Sequence, residues 1–227
     1  MTTLLSIETS GSLCSLALHV SGRWFEDTQN VDRMHNMLVL EMLDGLFRIA
    51  QIGPKDLEAV AFAAGPGSFT GVRIAASLAQ GLAFAASARV LPISSSLALA
   101  SEALNFVESE PAPNGVITIT RSRRDAYYLA GFRSNAERLF QVADDVLHQG
   151  ASAPQTLPGA GWIAVGDLPG WWSEVDTGVQ FAAGCTVTAK TVGRLAIGAW
   201  KAGDALDAAL ALPRYVSGDS PWRKLTD

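Results

Sequence analysis

The amino-acid sequence predicts an α/β fold of two related lobes, each with a mixed sheet flanked by helices. Of its 227 residues, 48% are hydrophobic and 17% are charged, which is ample for a packed core. Strand patterns and helix patterns alternate in a similar order in both halves. A polar segment with two prolines, 108–114, separates the halves. We therefore expect an N-terminal lobe over 1–107 and a C-terminal lobe over 108–227, whose last helix is a candidate to pack back on the first lobe.

The chain opens with three predicted strands, at 4–9, 13–20 and 24–29. In the second strand, apolar residues alternate with smaller or polar ones from Cys14 to Val20, the period of two that is typical of a half-buried strand. Short turns rich in serine and glycine separate the strands, so we expect an antiparallel meander.

Two helices in the first half are more apolar than one buried face requires. The helix at 34–50 has only a narrow polar strip, and the helix at 71–86 is small or apolar outside a single stripe. Gly81, in the middle of the second helix, indicates the close approach of another backbone. We therefore expect both helices to offer a surface that another protein covers. The other elements of this half are strands at 59–64 and 89–94 and a helix at 95–106.

The second half shows a similar order of elements without a residue-level repeat. We predict strands at 116–121, 126–133, 138–143 and 162–165, a loop rich in Ala, Pro and Gly at 150–161, a helix at 186–203 and an irregular C-terminal tail. In each half the pattern is interpreted as three strands, a helix, a strand and a helix.

A glycine-rich loop at 65–71 leads into the second apolar helix. It is not a Walker A motif, because no lysine is near, and Thr70 stands where a dinucleotide-binding motif needs its third glycine. Backbone amides at a helix N-terminus remain, with Ser68 or Thr70 as N-cap, and they form a generic anion site. The alternative is a tight turn that needs positive φ at its glycines. The candidate anion or nucleotide contacts are Glu8, which could orient a hydrated Mg²⁺, Ser10, Gly65, Gly67, Ser68, Thr70 and Gly71.

The residues themselves offer no catalytic set. Ser68 lies outside a G-x-S-x-G motif. The three histidines, His19, His35 and His148, have no partner at helical spacing, and two cysteines are too few for a Cys-rich site, so no metal site is expected.

One basic cluster is the candidate for contact with nucleic acid. The net charge of −5 gives no broad attraction to nucleic acid. Arg121, Arg123 and Arg124 precede Tyr127 and Tyr128, a combination that could contact RNA phosphates and stack a base. The alternative interpretation is a solvated hairpin.

The N-terminal residues lack the basic and long apolar regions of a signal peptide. Nowhere do about 18 unbroken apolar residues occur. We therefore expect a cytoplasmic protein with no membrane partner.

Three features together resemble the TsaB (YeaZ) family. They are IETSGSLCSLAL at 7–18, the isolated His35 at the start of an apolar helix, and AGPGSFTGVRIAASLAQGLA at 64–83. The resemblance is clear over about the first 100 residues, and beyond them it rests on 125–127 and 213–224. It implies an actin/Hsp70-like (ASKHA, ribonuclease H-like) fold and a role in bacterial tRNA modification.

The resemblance also implies partners. In this pathway TsaD carries the metal and transfers a threonylcarbamoyl group to the adenosine next to the anticodon, TsaB is its non-catalytic partner, and the ATPase TsaE joins them. A homodimer is expected when the chain is alone, tRNA contact is only indirect, and no cofactor binds tightly, although weak ATP or ADP binding fits. The paired-histidine motif of TsaD is incomplete here, because only His35 is present and position 39 is Val39.

In this family the partner surface is formed by the two apolar helices. The interface residues implied for this chain are Met34, Met37, Leu38, Glu41, Met42, Arg73, Ala76, Ser77, Ala79 and Gln80. Two alternatives remain at this stage: an ATP-binding transferase that uses Glu8 and the glycine loop, and a metalloprotease of the M22 type, the activity once assigned to the family.

Overall fold

Two five-stranded mixed sheets form the centre of the molecule. The computed structural model describes residues 2–30, 35–106, 112–134, 139–175 and 178–216, with the backbone alone at 35–37. The first sheet contains β1 (Leu4–Glu8), β2 (Leu13–Val20), β3 (Arg23–Asn30), β4 (Ala59–Ala63) and β5 (Arg89–Ile93). The second contains β6 (Gly115–Arg123), β7 (Ala126–Ser134), β8 (Leu139–Gln149), β9 (Trp162–Gly166) and β10 (Gln180–Ala182).

The helices of the described residues cover these sheets. They are α1 (His35–Ala50), α2 (Phe69–Ala86), α3 (Ser95–Phe106) and α4 (Ala189–Ala202), with short 3₁₀ helices at Pro54–Asp56, Gly170–Glu174 and Ala208–Leu210.

Both sheets have the same topology. The strand orders are β3-β2-β1-β4-β5 and β8-β7-β6-β9-β10. In each sheet three strands form an antiparallel meander, and the last two strands add in parallel on the other side of the first. The repeated topology confirms the predicted fold class, an actin/Hsp70-like α/β fold of two related lobes with mixed sheets flanked by helices.

The second lobe differs from the predicted order of elements. Its sheet has a fifth strand, β10, that was not predicted, and β8 runs to Gln149 rather than to 143. Between β8 and β9 the described chain has no helix, and between β9 and β10 it has only a short 3₁₀ turn. The predicted helix at 71–86 begins two residues earlier, at Phe69. Ser68, one of the two predicted N-cap residues, is the N-cap of this helix.

The two faces of the first sheet are covered by different helices. Along β4, Val60 and Phe62 point to a core cluster that contains α1 and α2, whereas the alanines between them point to the opposite face. The opposite face packs against α4, at Val192 and Ala196. Small residues on β4 let this helix lie close to the sheet. At Gly193 a β-carbon would come within 2.5 Å of the Trp24 ring.

The lobes exchange their inner helices. Helix α4 comes from the second half of the chain and packs on β1, β2, β4 and β5 of the first sheet. Helix α3 comes from the first half, and its Leu99, Ala100 and Ala103 pack on the second sheet. Each sheet is therefore completed by residues from the other half of the chain.

The C-terminal segment, 204–216, returns to the first lobe. Leu206 forms an antiparallel bridge with Val90 on β5, with both N–H···O distances at 2.9 Å. The 3₁₀ helix Ala208–Leu210 contacts α2, and the Arg214 N–H donates to the Ala64 carbonyl at 2.7 Å. The segment therefore connects the edge of the first sheet to the start of the glycine loop.

Helix α2 is the one helix among the described residues that is long and apolar enough to cross a membrane by length and composition. One side of it is buried against the first sheet, where Ala75, Ala79 and Ala83 are 0% exposed. Packing on the sheet explains why this side of α2 is apolar. It does not explain the apolar residues on the exposed side of the helix.

Candidate functional site

The glycine loop uses its backbone donors inside the protein. The Ser68 N–H donates to the Ser10 carbonyl at 2.7 Å, and the Gly65 N–H donates to Ser95 Oγ at 3.1 Å. The Gly71 N–H donates to Ser68 Oγ at 3.3 Å, which caps α2. These three amides are occupied, so the arrangement favours the structural interpretation of the loop over the anion site.

The glycines of this loop meet the turn between β1 and β2 at very short range. A β-carbon on Gly67 would lie 2.6 Å from the Ser10 carbonyl oxygen, and one on Gly71 would lie 1.8 Å from the Thr9 carbonyl oxygen. Only Gly65 has positive φ, at +105°. The tight-turn alternative therefore holds for Gly65, whereas the other two glycines allow close backbone packing. Thr70 is exposed at the start of α2.

A cleft of about 240 Å³ lies between the lobes, and Glu8 forms part of its wall. Glu8 is 2% exposed. Its Oε1 accepts hydrogen bonds from the Ser10 N–H at 2.5 Å and from Ser10 Oγ–H at 2.7 Å. Its Oε2 has no hydrogen-bond partner among the described residues. Burial raises the pKa of Glu8 to about 7, against the lowering effect of hydrogen bonding from Ser10 and from the Gly11 backbone.

The cleft carries negative charge. Asp167, which follows β9, lies on the wall contributed by the second lobe, and its Oδ2 accepts the Arg121 N–H at 2.7 Å. None of the described residues that line the cleft is lysine or arginine. A nucleotide phosphate would therefore face the Asp167 carboxylate and the carboxyl group of Glu8, without a cationic side chain to pair with it.

The histidines stay apart in the described part of the chain. His19 packs on Trp24, with ring centroids 4.8 Å apart, and His148 Nε2 lies 2.9 Å from the Ser152 carbonyl oxygen. The described residues hold no group of three or more His, Cys, Asp or Glu arranged for a metal ion. The side chain of His35 lies outside the described residues, and Val39 is in the core at 4% exposure.

The expected interface residues divide into three groups. Glu41, Ser77 and Gln80 are exposed, and Leu38 and Arg73 are half-buried. Met34 and the side chain of Met37 lie outside the described residues. Met42, Ala76 and Ala79 are 3%, 3% and 0% exposed and belong to the core of the first lobe. The first lobe already covers these last three side chains, and their part in a partner surface stays a prediction.

The most exposed apolar residues of the same two helices are not among the expected interface residues. Phe84 on α2 is 82% exposed, and Ile49 and Leu40 on α1 are 68% and 61% exposed. Phe84 continues the stripe of Arg73, Ser77 and Gln80 by one further turn, so helical spacing would have found it.

Arg73 is held at the N-terminal end of α2 by two aromatic residues. Its guanidinium carbon lies 3.2 Å from the ring centroid of Phe69, and its Nε–H donates to the Tyr215 hydroxyl at 3.0 Å. The C-terminal segment thus extends the outer surface of α2.

The basic cluster is not accompanied by accessible aromatic rings. Arg121, Arg123 and Arg124 are exposed. Tyr127 and Tyr128 are each 4% exposed, so neither ring can stack a base.

The chain is similar in sequence to proteins of tRNA threonylcarbamoyladenosine biosynthesis. A family model described as "TsaD: tRNA N6-adenosine threonylcarbamoyltransferase" matches residues 29–161. The tRNA threonylcarbamoyladenosine biosynthesis protein TsaB of Haemophilus influenzae is 34% identical over 176 residues, covering 71% of this chain and 73% of that protein. The protein of the same name from Escherichia coli is 27% identical over 184 residues, covering 78% of this chain and 75% of that protein.

Two solved structures from Pseudomonas aeruginosa are similar over nearly the whole chain. One, a protein described by its similarity to peptidase YEAZ, has a TM-score of 0.83 and 30% identity, covering 95% of this chain and 100% of that chain. The other, YeaZ, has a TM-score of 0.80 and 29% identity with the same coverage.

Proposed function

Since this chain belongs to the TsaB (YeaZ) family of tRNA threonylcarbamoyladenosine biosynthesis proteins, we propose that it is the non-catalytic subunit that binds TsaD. The docking surface is the outer face of α2, together with the exposed residues of α1 and of the C-terminal segment. We define the outer face of α2 by its exposed residues: Phe69, Thr70, Ser77, Gln80, Gly81, Phe84 and Ala85.

The observation that carries the proposal is the composition of this outer face. Phe84 is 82% exposed near the C-terminal end of α2, and a β-carbon on Gly81, one turn before it, would meet nothing within 4 Å. Arg73 is the single charged residue in the 18 residues of α2. A water-exposed face with an exposed phenylalanine near each end, Phe69 and Phe84, and so little charge is typical of the core of a protein interface.

The surroundings of this face resemble the rim of an interface. On α1, the exposed Leu40 and Ile49 flank Glu41, Asp44 and Arg48. On the C-terminal segment, exposed apolar residues continue the surface next to α2: Leu210, Leu212 and Tyr215. Charged residues at the edge and apolar residues at the centre are the usual arrangement of a specific interface.

The non-catalytic role is supported by the chemistry of the described residues. The cleft presents carboxylates and hydroxyl groups without a cationic side chain, and Val39 stands where a paired-histidine motif needs its second ligand. We expect ATP or ADP to bind weakly at most. In this proposal the protein acts in the cytoplasm, contacts tRNA only through TsaD, and forms a ternary assembly with TsaE.

The same face would pair two copies of the chain when TsaD is absent. An apolar patch that contacts itself across a two-fold axis gives a closed dimer. Because TsaD and the second copy would compete for one surface, adding TsaD should dissociate the homodimer.

Copurification with TsaD from the same organism tests the docking surface. We expect Phe84→Asp and Ser77→Arg each to weaken TsaD binding by at least about 30-fold, the effect of losing an interface hot spot of about 2 kcal/mol. Phe140→Asp, an exposed phenylalanine on β8 of the second lobe, is the matched control and should bind as the wild type does. If both α2 variants melt like the wild type and still copurify, the proposed surface is rejected.

A further inference from the structure

A second cavity, separate from the cleft, lies between α4 and the first sheet. It has a volume of about 510 Å³ and is lined by Leu4 of β1, His19 of β2, and Ile197, Trp200 and Lys201 of α4. Small-molecule sites have volumes of roughly 300–1,000 Å³ and are mostly apolar with a few polar groups. Helix α4 covers the face of the sheet opposite α1 and α2, so the docking surface proposed above does not include this cavity.

We propose that this cavity binds a small aromatic carboxylate. The aromatic ring packs against Leu4, Ile197 and Trp200, and the carboxylate pairs with the ammonium group of Lys201. Such a ligand would contact both the first sheet and the helix that the second half of the chain contributes to it.

The floor of the cavity is apolar and only partly covered by the protein. Leu4 is 1% exposed, whereas Ile197 and Trp200 are half-buried against the same core cluster. Ile197 and Trp200 lie one turn apart on α4 and therefore on the same face of the helix. An apolar ligand group that covers these two side chains removes their remaining surface from water, which is favourable.

The aromatic residues at the cavity favour a planar ligand. The His19 ring is held in place on two sides, because it packs on Trp24 with ring centroids 4.8 Å apart and its Nδ1 lies 3.3 Å from the Thr2 carbonyl oxygen. His19 and Trp200 both line the cavity. Aromatic side chains contribute offset-stacked or edge-to-face contacts to a ligand ring, in addition to the area that is buried.

Lys201 determines which charge the ligand should carry. Lys201 is exposed and has no ion pair among the described residues. Neither aspartate nor glutamate is among the described residues that line the cavity. The Trp200 indole N–H has no hydrogen-bond partner in the described part of the chain either, and it is a second donor at this site. A carboxylate accepts from both kinds of donor, whereas an ammonium group would be repelled by Lys201.

Titration calorimetry of the full-length chain with 3-phenylpropionate tests the proposal, at about 0.15 M salt to screen non-specific attraction. We expect saturable binding at one site. Lys201→Met should weaken it about three- to fivefold, the effect of losing an exposed charge pair, and Lys201→Arg should bind as the wild type does. Trp200→Ala should weaken it at least about fivefold, because the ring loses its aromatic contact.

Lys55→Met is the matched control for the lysine variant. Lys55 is exposed on the 3₁₀ helix Pro54–Asp56, which contacts α2 and not α4, so this variant should bind the ligand as tightly as the wild type. Because Lys201 is exposed, its variants stay informative even if Trp200→Ala does not fold.

Two companion ligands check the chemistry. 3-Phenylpropylamine has the same ring with the opposite charge and should bind at least about threefold more weakly. Propionate has the carboxylate without the ring and should bind at least about tenfold more weakly. The proposal is overturned if 3-phenylpropionate shows no saturable binding, if Lys201→Met binds as Lys55→Met does, or if either companion binds as tightly. TsaD binding by the Phe84 variant is a separate readout, so the failure of one proposal leaves the other intact.

Discussion

At the scale of single residues, Glu8 shows how position determines the chemistry of a side chain. The residue ends a strand whose other members are all buried, so its carboxyl group is removed from water together with them. Because Ser10 satisfies only one oxygen, the loss of solvent dominates and the pKa of Glu8 rises to about 7. The sequence singled out Glu8 only as an acid at a strand end that could orient a hydrated Mg²⁺, and its burial in the wall of a cleft was not foreseen.

The raised pKa of Glu8 predicts a stability that falls with pH. Since the group has a pKa of 4.5 when solvated and about 7 in the fold, the folded state binds more protons between these values. Stability is therefore greatest below about pH 4.5 with respect to this group, and it declines by up to about 3 kcal/mol as pH rises through 7. Urea denaturation at several pH values, compared with Glu8→Gln, isolates this contribution.

The variant Glu8→Gln cannot ionise at this position, so its stability relative to the wild type should increase from pH 5 to pH 8. Other titrating groups are common to both proteins and cancel in the difference. Parallel pH profiles for the two proteins would contradict the assignment of a buried, neutral Glu8.

Two glycines in α2 should respond in opposite ways to alanine. Gly71→Ala places a β-carbon 1.8 Å from the Thr9 carbonyl oxygen, and we expect a loss of at least about 2 kcal/mol in the free energy of unfolding. Gly81→Ala meets nothing within 4 Å, and the gain in helix propensity should stabilise the isolated chain by about 0.5–1 kcal/mol. Chemical denaturation of both variants measures the contrast.

Each glycine variant is the matched control for the other, because both substitutions add the same methyl group to the same helix. A similar change in stability for both would mean that Gly71 is not held against the β1–β2 turn. The sequence placed a glycine loop before a helix, yet the close approach to Thr9 is a tertiary contact that no local pattern reveals.

At the scale of elements, α2 shows that a sequence can predict an apolar helix without indicating which of its small residues face outward. Alanine occurs both on buried helix faces and at contacts with a partner helix. The sequence therefore does not indicate which side Ala76 and Ala79 face. In the structure, both side chains are buried in the core of the first lobe. Ser77 and Gln80, which the family resemblance implies as interface residues, are both exposed on this helix.

The second sheet contains a strand that the sequence could not predict. Strands β6, β7 and β9 were predicted because their β-branched and aromatic runs are long enough to show a pattern. Strand β10 has only three residues, Gln180–Ala182, too few for any period. Its place in the sheet comes from parallel pairing with β9, which is a contact between segments and not a local preference.

At the scale of the whole molecule, the exchange of α3 and α4 makes the two lobes depend on each other. Leu4, Ala61 and Leu91 of the first sheet are buried under a helix that is encoded near the end of the chain. The division at residue 107 therefore separates the sheets but cuts through their cores.

We expect a fragment of residues 1–107 alone to lack a cooperative unfolding transition, because one face of its sheet would be exposed to water. Adding residues 108–227 as a second fragment should restore the transition by supplying α4. Circular dichroism during urea titration measures both, with the intact chain as reference. A cooperative transition of the first fragment alone, with a midpoint near that of the intact chain, would contradict the interdependence.

The origin of α4 in the last part of the sequence also has a consequence for biosynthesis. While the ribosome is still translating the second half, the first sheet has left the exit tunnel with one of its faces uncovered. Newly made protein therefore presents a surface to chaperones that disappears only after α4 (Ala189–Ala202) has emerged, and products truncated before α4 should be preferred substrates for proteases.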